Sequence, residues 1–326
     1  MRPTLSTLFR SLAWLVAVVP ALSAAQETYP SRAIRIVVPY PAATPPDVLA
    51  RIAAEKLSAS WKNPVIVEVR DGAAGTIGTA QVARAAADGY TLLFTPDFPI
   101  VMSPAIGKTP YDARNDFAPV AALAQGVSLL AVNPSLGINH VNDLIAMAKA
   151  NPRKLTYGSS GQASASYMCI ALLKRAAGID LTEIPYKGAA PAIQAVMTGE
   201  ISMYCSPSFQ ALPHVRSGKL KALGTTGPKP SPLSPDIPSI AEQGQPDVTV
   251  STWYGMFAPA GTPEPALEKI RVGVKAAFED PEVRERLARA GLEPIWIGGR
   301  DFEARIKADL AKWSKLAKDA GIRAPQ

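Results

Sequence analysis

Short β-branched runs recur along this chain, each followed by a loop rich in glycine, serine or proline and then by a stretch with helical apolar spacing. This alternation restricts the fold more than any other feature. Strands and helices that take turns bury their apolar faces by layering helices on a sheet, which predicts an α/β architecture. Ile34-Arg35-Ile36-Val37-Val38 is the first run, and the loop after it extends from Pro39 to Pro46. Leu49, Ile52, Ala53 and Leu57 then share one face of a helix expected over 47–59. Further strands are expected over 65–69, 90–95, 127–132, 154–157, 181–184, 201–205, 222–225 and 249–257, and helices over 77–86, 141–150 and 164–177. Phe302, Ile306, Leu310, Trp313 and Leu316 recur at spacings of three and four and mark a C-terminal helix.

Loops that follow strands and open helices gather helix N-termini around a crevice at the strand ends. Their free N–H groups and positive dipole ends suit such a crevice to carboxylates and similar anions. Gly158-Ser159-Ser160-Gly161 is one such loop. The 31 prolines, nearly double the usual share of about 5%, are scattered along the chain and punctuate loops. Five of them fall in 228–238, which reads as an extended surface connection.

The first 25 residues have the form of a secretory signal peptide: a basic start at Arg2 and Arg10, a short apolar core over 12–19, and Ser23-Ala24-Ala25 before the expected mature start at Gln26. The apolar stretch ends at Pro20, well short of the ~20 residues a spanning helix needs. Export is therefore expected. Without Arg2 and Arg10, 32 bases stand against 27 acids, and no run of five or six bases offers a nucleic-acid footprint. In an oxidising compartment the only two cysteines, Cys169 and Cys205, can form a disulfide or sit buried as small apolar side chains, and the sequence leaves both open. Two histidines, His140 and His214, and no Cys/His cluster give no metal site, and no cofactor is expected.

Several stretches taken together resemble one family. They are Tyr29-Pro30 followed by IRIVVPYP, then Asp88-Gly89-Tyr90-Thr91-Leu92-Leu93, and Leu155-Thr156-Tyr157-Gly158-Ser159-Ser160-Gly161. Pro185-Tyr186-Lys187-Gly188-Ala189-Ala190-Pro191-Ala192 and Leu212-Pro213-His214-Val215-Arg216-Ser217-Gly218-Lys219-Leu220 come next, then Asp236-Ile237-Pro238-Ser239-Ile240-Ala241-Glu242 and Phe257-Ala258-Pro259-Ala260-Gly261-Thr262-Pro263. In order and spacing this is similar to the Bug family of periplasmic solute-binding proteins, the receptor subunits associated with tripartite tricarboxylate transporters. The resemblance implies a two-lobed Venus-flytrap fold of type II with a ligand cleft between two α/β domains. Residues 26–128 plus 254–326 would form lobe one and 129–253 lobe two, with hinge crossings near Leu129 and Trp253. It also implies small carboxylate ligands held by backbone N–H groups and hydroxyls, a monomeric receptor, and an inner-membrane transporter as partner.

Carried onto this sequence, the resemblance places Ser159, Ser160 and Gly161 in a lobe-two binding loop, with Ser164 and Ser166 at the start of its helix, although serines there also serve as N-caps. Tyr186 and Gly188 match a second lobe-two position, where strand end and helix cap compete with ligand contact. Tyr40, Ala42, Ala43, Thr44 and Asp47 belong to the first loop, where Asp47 either caps the first helix or orients waters over the ligand. Thr95, Pro96 and Asp97 follow the third strand, and Cys205 and Ser206 end a lobe-two strand. His214 and His140 are assigned no chemistry, and His140 is expected exposed near a helix start.

The departures from the family pattern carry the specificity argument. Ala43 and Thr44 stand where the family has glycines that allow positive φ, and Pro45 and Pro46 remove two N–H donors. Asp97 adds a carboxylate where the family has small hydroxyl residues. It is read here as pointing to solvent; facing the cleft, it would repel a carboxylate and favour a ligand with an amine, an amide or several hydroxyls. The expected function is thus a non-enzymatic receptor for a small organic ligand, a carboxylate in first place. The alternatives are an altered pocket for an amide, amine or polyol, or a degenerate scaffold. An exported hydrolase using Ser160 or Cys205 is disfavoured, because Ser159-Ser160 lacks the G-x-S-x-G spacing of a nucleophile elbow.

Overall fold

The computed structural model describes residues 29–161 and 164–320, so the expected signal segment and mature start lie outside the described residues. In chain order the elements are β1 (Ile34–Val38), α1 (Pro45–Trp61), β2 (Val65–Val69), α2 (Thr76–Ala83), β3 (Thr91–Pro96), α3 (Ser103–Ile106), β4 (Phe117–Val132), α4 (Val141–Ala150) and β5 (Thr156–Ser159). They continue with α5 (Ala165–Ala177), β6 (Thr182–Pro185), α6 (Ala189–Thr198), β7 (Met203–Pro207), α7 (Ser208–Arg216), β8 (Lys221–Thr225), β9 (Ser251–Pro259), α8 (Glu264–Glu279), α9 (Pro281–Arg289), β10 (Glu293–Gly298) and α10 (Gly299–Ala320).

Two sheets share one long strand. In the first, β2, β1 and β3 run parallel, β9 is antiparallel to β3, and β4 and β10 complete the order. In the second, β5 lies parallel between β6 and β7, and the end of β4 pairs antiparallel with β7 and β8. β4 pairs with β9 from Phe117 to Val127 and with β7 from Ser128 to Val132, so a single step along the backbone passes from one sheet to the other. The chain returns at Thr226. Its hydroxyl donates to Val250 O and accepts from Ser128 N–H at 2.9 Å, and Val250 N–H donates to Thr226 O at 3.0 Å, a buried knot joining both crossings.

The expected strand over 127–132 is only the end of β4. Its first half is interrupted by register shifts at Pro119–Ala121 and Ala122–Ala124, and a proline within a bulged strand hides the period-two pattern. Packing explains the rest. Ile34, Ile36 and Val38 on one face of the first sheet bury against Leu49, Ile52 and Leu57 of α1 and Ile270 and Val274 of α8. The apolar stripe of α10 is buried in the same cluster as Cys169 and Leu173 of α5 and Cys205 of β7. An α10–α5 ion pair, Arg175 to Asp319 at 3.0 Å, ties the helix to the second lobe. Trp253, Phe257 and Phe302 pack as a tight aromatic group, with ring centroids 5.0–6.1 Å apart. Gly255 permits it: a Cβ there would lie 2.6 Å from the Phe302 ring. Cys169 and Cys205 are joined as a disulfide that ties α5 to β7, with Cα atoms 6.4 Å apart.

Candidate functional site

A cavity of about 800 Å³ opens between the two lobes, within the range of small-molecule sites. Lobe one supplies the loop between β1 and α1, the turn before α2 and the residues after β3. Tyr40 fixes the relation of the first two by donating its hydroxyl to Ala74 O at 3.1 Å. Gly75, at φ +90°, is the partner that makes this possible, since a Cβ there would lie 2.9 Å from both the Tyr40 ring and Pro99. α1 opens on Pro45 and Pro46, so its first turn reaches the cavity without two of the N–H groups that a helix start ordinarily offers.

Asp47 is buried behind that turn, away from the cavity lining. Its Oδ2 accepts from Ala43 N–H at 2.9 Å and Arg51 Nε at 3.0 Å, while Arg51 Nη2 lies 3.0 Å from Oδ1. Burial raises this carboxyl, but the hydrogen bonds from Arg51 and Ala43 outweigh it and leave it below the usual range. Of the two glycine-replacing residues only Ala43 is left-handed, at φ 62°; Thr44 is extended at φ −81° and its hydroxyl donates to Pro41 O at 2.6 Å.

Asp97 does not point to solvent. After Pro96 the backbone enters a π-helical turn, Phe98–Met102, whose Pro99, Ile100, Val101 and Met102 are buried; anchoring that turn in the core swings Asp97 inward onto the cavity wall, where only 9% of it remains exposed. Burial, followed by the nearby Asp309 charge, pushes its carboxyl up to about 8; Arg305 and the N–H groups of Asp97 and Phe98 act the other way. Burial and the Asp97 charge also raise the Tyr40 and Tyr254 hydroxyls far above their ordinary value.

Lobe two presents the opposite chemistry. β5 ends at Ser159, and Ser160, Gly161 and Ser164 line the cavity just before α5 begins at Ala165. Ser164 is the N-cap: its Oγ accepts from Tyr167 N–H at 3.2 Å and donates to Gly161 O at 2.6 Å. Ser160 N–H donates to Ser166 Oγ at 3.2 Å, and Ser160 Oγ lies 3.1 Å from the Tyr204 hydroxyl. The wall is therefore a helix N-terminus with hydroxyls turned to the cavity, the arrangement that binds a carboxylate.

The remaining sequence candidates lie elsewhere. Ala42 and Ala43 are exposed outside the lining, and Thr95 is buried within β3. Ser159 is buried with its Oγ bonded to Glu183. The Tyr186 hydroxyl donates to Glu200 Oε1 at 2.8 Å, and Gly188 caps α6; neither reaches the cavity. Cys205 has no free thiol, being disulfide-bonded, and the buried Ser206 donates to Pro207 O. His140 is exposed at the start of α4, and the His214 carbonyl closes the turn after α7.

Sequence reasoning missed the third side of the cavity. Val250, Thr252 and Tyr254 come from the second crossing and β9, Met168 from α5, and Trp313 from α10. Trp313 was legible only as part of an apolar stripe, and nothing in its spacing separates a cavity-facing ring from a core one. Among the described residues no group of three or more His, Cys, Asp or Glu could hold a metal ion. No described helix is long and apolar enough to cross a membrane.

The tripartite tricarboxylate transporter family receptor pattern matches residues 49–322. The chain belongs to this family. BugT of Bordetella pertussis is 30% identical over 299 residues, covering 91% of this chain and 92% of its own. A Rhodopseudomonas palustris protein solved with adipate is 31% identical with a TM-score of 0.73, covering 90% of this chain and 99% of its own. MatC from the same organism, solved with bound malate, is 29% identical with a TM-score of 0.70, covering 88% and 99%. The chain is accordingly a two-lobed solute-binding receptor and not an enzyme.

Proposed function

We propose that this chain captures a small organic carboxylate in the periplasm and delivers it, as a monomer, to a tripartite tricarboxylate-type transporter of the inner membrane. The observation that carries the reading is the cavity bounded on one side by the Ser164-capped start of α5 and on the other by lobe one. A carboxylate there accepts from the Ser160 hydroxyl and from the free N–H groups of the first turn of α5, whose cap is Ser164. The adipate and malate held by the two R. palustris relatives support the ligand class. Residues 26–128 with 254–326, and 129–253, are the moving lobes in this reading. They close about the Ser128–Thr226–Val250 knot, where both crossings meet. Loss of ligand-free mobility on closure follows the usual hinge behaviour of two-lobed receptors.

Thermal melting of ligand-stripped protein across dicarboxylates, aromatic acids, amino acids, amides and polyols tests the reading. A ligand at 100 times its Kd stabilises by about 2.7 kcal/mol, a shift of several degrees. No shift from any acid, with or without an amine, returns the chain to the scaffold alternative.

A further inference from the structure

The receptor reading assigns one end of the ligand and leaves the other wall unexplained. That wall holds a carboxyl group, and none of the described residues lining the cavity is Lys, Arg or His. The cation whose charge acts on Asp97, Arg305 of α10, is spent elsewhere: its Nε donates to Asp309 Oδ2 at 2.8 Å and its Nη2 to Ser251 Oγ at 3.1 Å. Asp309 also accepts from Trp253 Nε1 at 2.9 Å, so this pair is locked outside the cavity. Among the described residues no side chain hydrogen-bonds the Asp97 carboxyl, which is more than nine-tenths buried and has only the backbone N–H groups of Asp97 and Phe98 beside it. A diacid spanning the cavity would put its second carboxylate against Asp97, with proline in place of two of the donors of α1.

We propose, on the basis of the receptor reading above, that Asp97 is the specificity-determining residue for a protonated nitrogen, so that the cleft selects an amphipathic amino-carboxylate over a diacid of the same length. The ligand's carboxylate docks at Ser160, Ser164 and the start of α5. Its apolar body lies against Tyr40, Tyr254 and Trp313, and its ammonium donates to Asp97. Ionising a carboxyl buried this deeply is costly, so Asp97 stays protonated in the empty cleft; an ammonium within hydrogen-bond reach stabilises its ionised form, whereas a second carboxylate can only share its one proton. The titratable and charged groups around Asp97 are Asp309 and Arg305 of α10, Tyr40 of the first loop and Tyr254 of β9. The first two neutralise each other and both tyrosines stay protonated, so Asp97 is the group that exchanges a proton when the ammonium arrives.

Isothermal titration of the ligand-stripped protein at pH 7 with two matched pairs decides the matter: 6-aminohexanoate and adipate, 4-(aminomethyl)benzoate and terephthalate. The expected result is that in at least one pair the amino member binds ten-fold or more tighter. Its binding then releases close to one proton, read from heats in two buffers of different ionisation enthalpy. Asp97→Asn should cut that preference at least ten-fold. The proton count needs only the unmutated protein, so it stands even if the variant fails to fold. Tighter binding of the acid lacking nitrogen in every pair that binds overturns the proposal and leaves the receptor reading intact, as does an unchanged preference in Asp97→Asn. If no member of any pair binds, the receptor reading falls and the proposal with it.

Discussion

The two walls of the cleft are built alike and charged oppositely. Each is a strand, a loop and the start of a helix. On lobe two the helix keeps its donors: Ser164 caps α5, and Ser160 and Gly161 line the cavity. On lobe one the helix starts on Pro45-Pro46, the acidic Asp47 turns back to hold Ala43 and Arg51, and the next loop contributes Asp97. Identical architecture thus yields a wall that donates and a wall that accepts. The difference resides in three or four side chains, because a strand–loop–helix unit supplies only position, and the polarity comes from which N–H groups and carboxyls remain at the loop.

The largest effect should come from loosening the donating wall. Replacing Cys169 and Cys205 with alanine unties α5 from β7 across a separation of 36 residues, and should cost about 3 kcal/mol in chemical denaturation. A loss under about 1 kcal/mol would mean that the α10 stripe alone holds α5 in place.

The accepting wall should show itself next, through pH. Asp97 is raised in the fold, to about 8 against an ordinary value near 3.9, so the folded protein holds a proton that the unfolded chain releases between those values. Its contribution to the stability of the empty receptor is fully present below about pH 4 and is lost as pH rises through about 8. Melting curves between pH 5 and 7 should show up to about 1 kcal/mol lost per pH unit from this group. Asp97→Asn should flatten that slope. Asp47 works in the opposite sense: its stabilisation holds above the ordinary carboxylate range and fades as pH falls through it.

Ser164→Ala removes the N-cap of α5 and should cost about 1 kcal/mol of stability, together with a several-fold loss in carboxylate affinity. A stability loss without an affinity loss would show that the carboxylate docks elsewhere. Smallest is Ala43→Gly. Relief of the left-handed backbone at φ 62° is partly offset by the extra freedom of glycine in the unfolded chain, for a net gain below about 1 kcal/mol. It should leave the ligand preference untouched, because Ala43 lies outside the cavity lining.

Much of the architecture was legible from local pattern. β1 and β2 coincide with their β-branched runs, and α4 occupies the expected 141–150. These segments have a period that propensity and burial both reinforce. β4 was half missed because its bulges at Pro119 and Ala122 break that period. The lobe-two loop could be placed on the cavity because it joins a strand to a helix start and matches the family's binding loop, although the same serines also suit N-capping, and Pro45-Pro46 announced the loss of donors by covalent structure alone.

What the sequence by itself determined is therefore the strand–helix order, the loops that meet at the cleft, and the donors that each loop has or lacks. These follow from properties each residue carries with it: φ limits, side-chain period, and the presence of an N–H. Tertiary structure alone decided which side chains at those loops face inward. Asp97 enters the cleft because the buried turn 98–102 rotates it there, Cys205 is withdrawn from the cleft by its bond to Cys169, and Tyr254 and Trp313 reach it from elements far along the chain from the loops they face. Direction of this kind is set by packing between distant segments, and no local pattern encodes it.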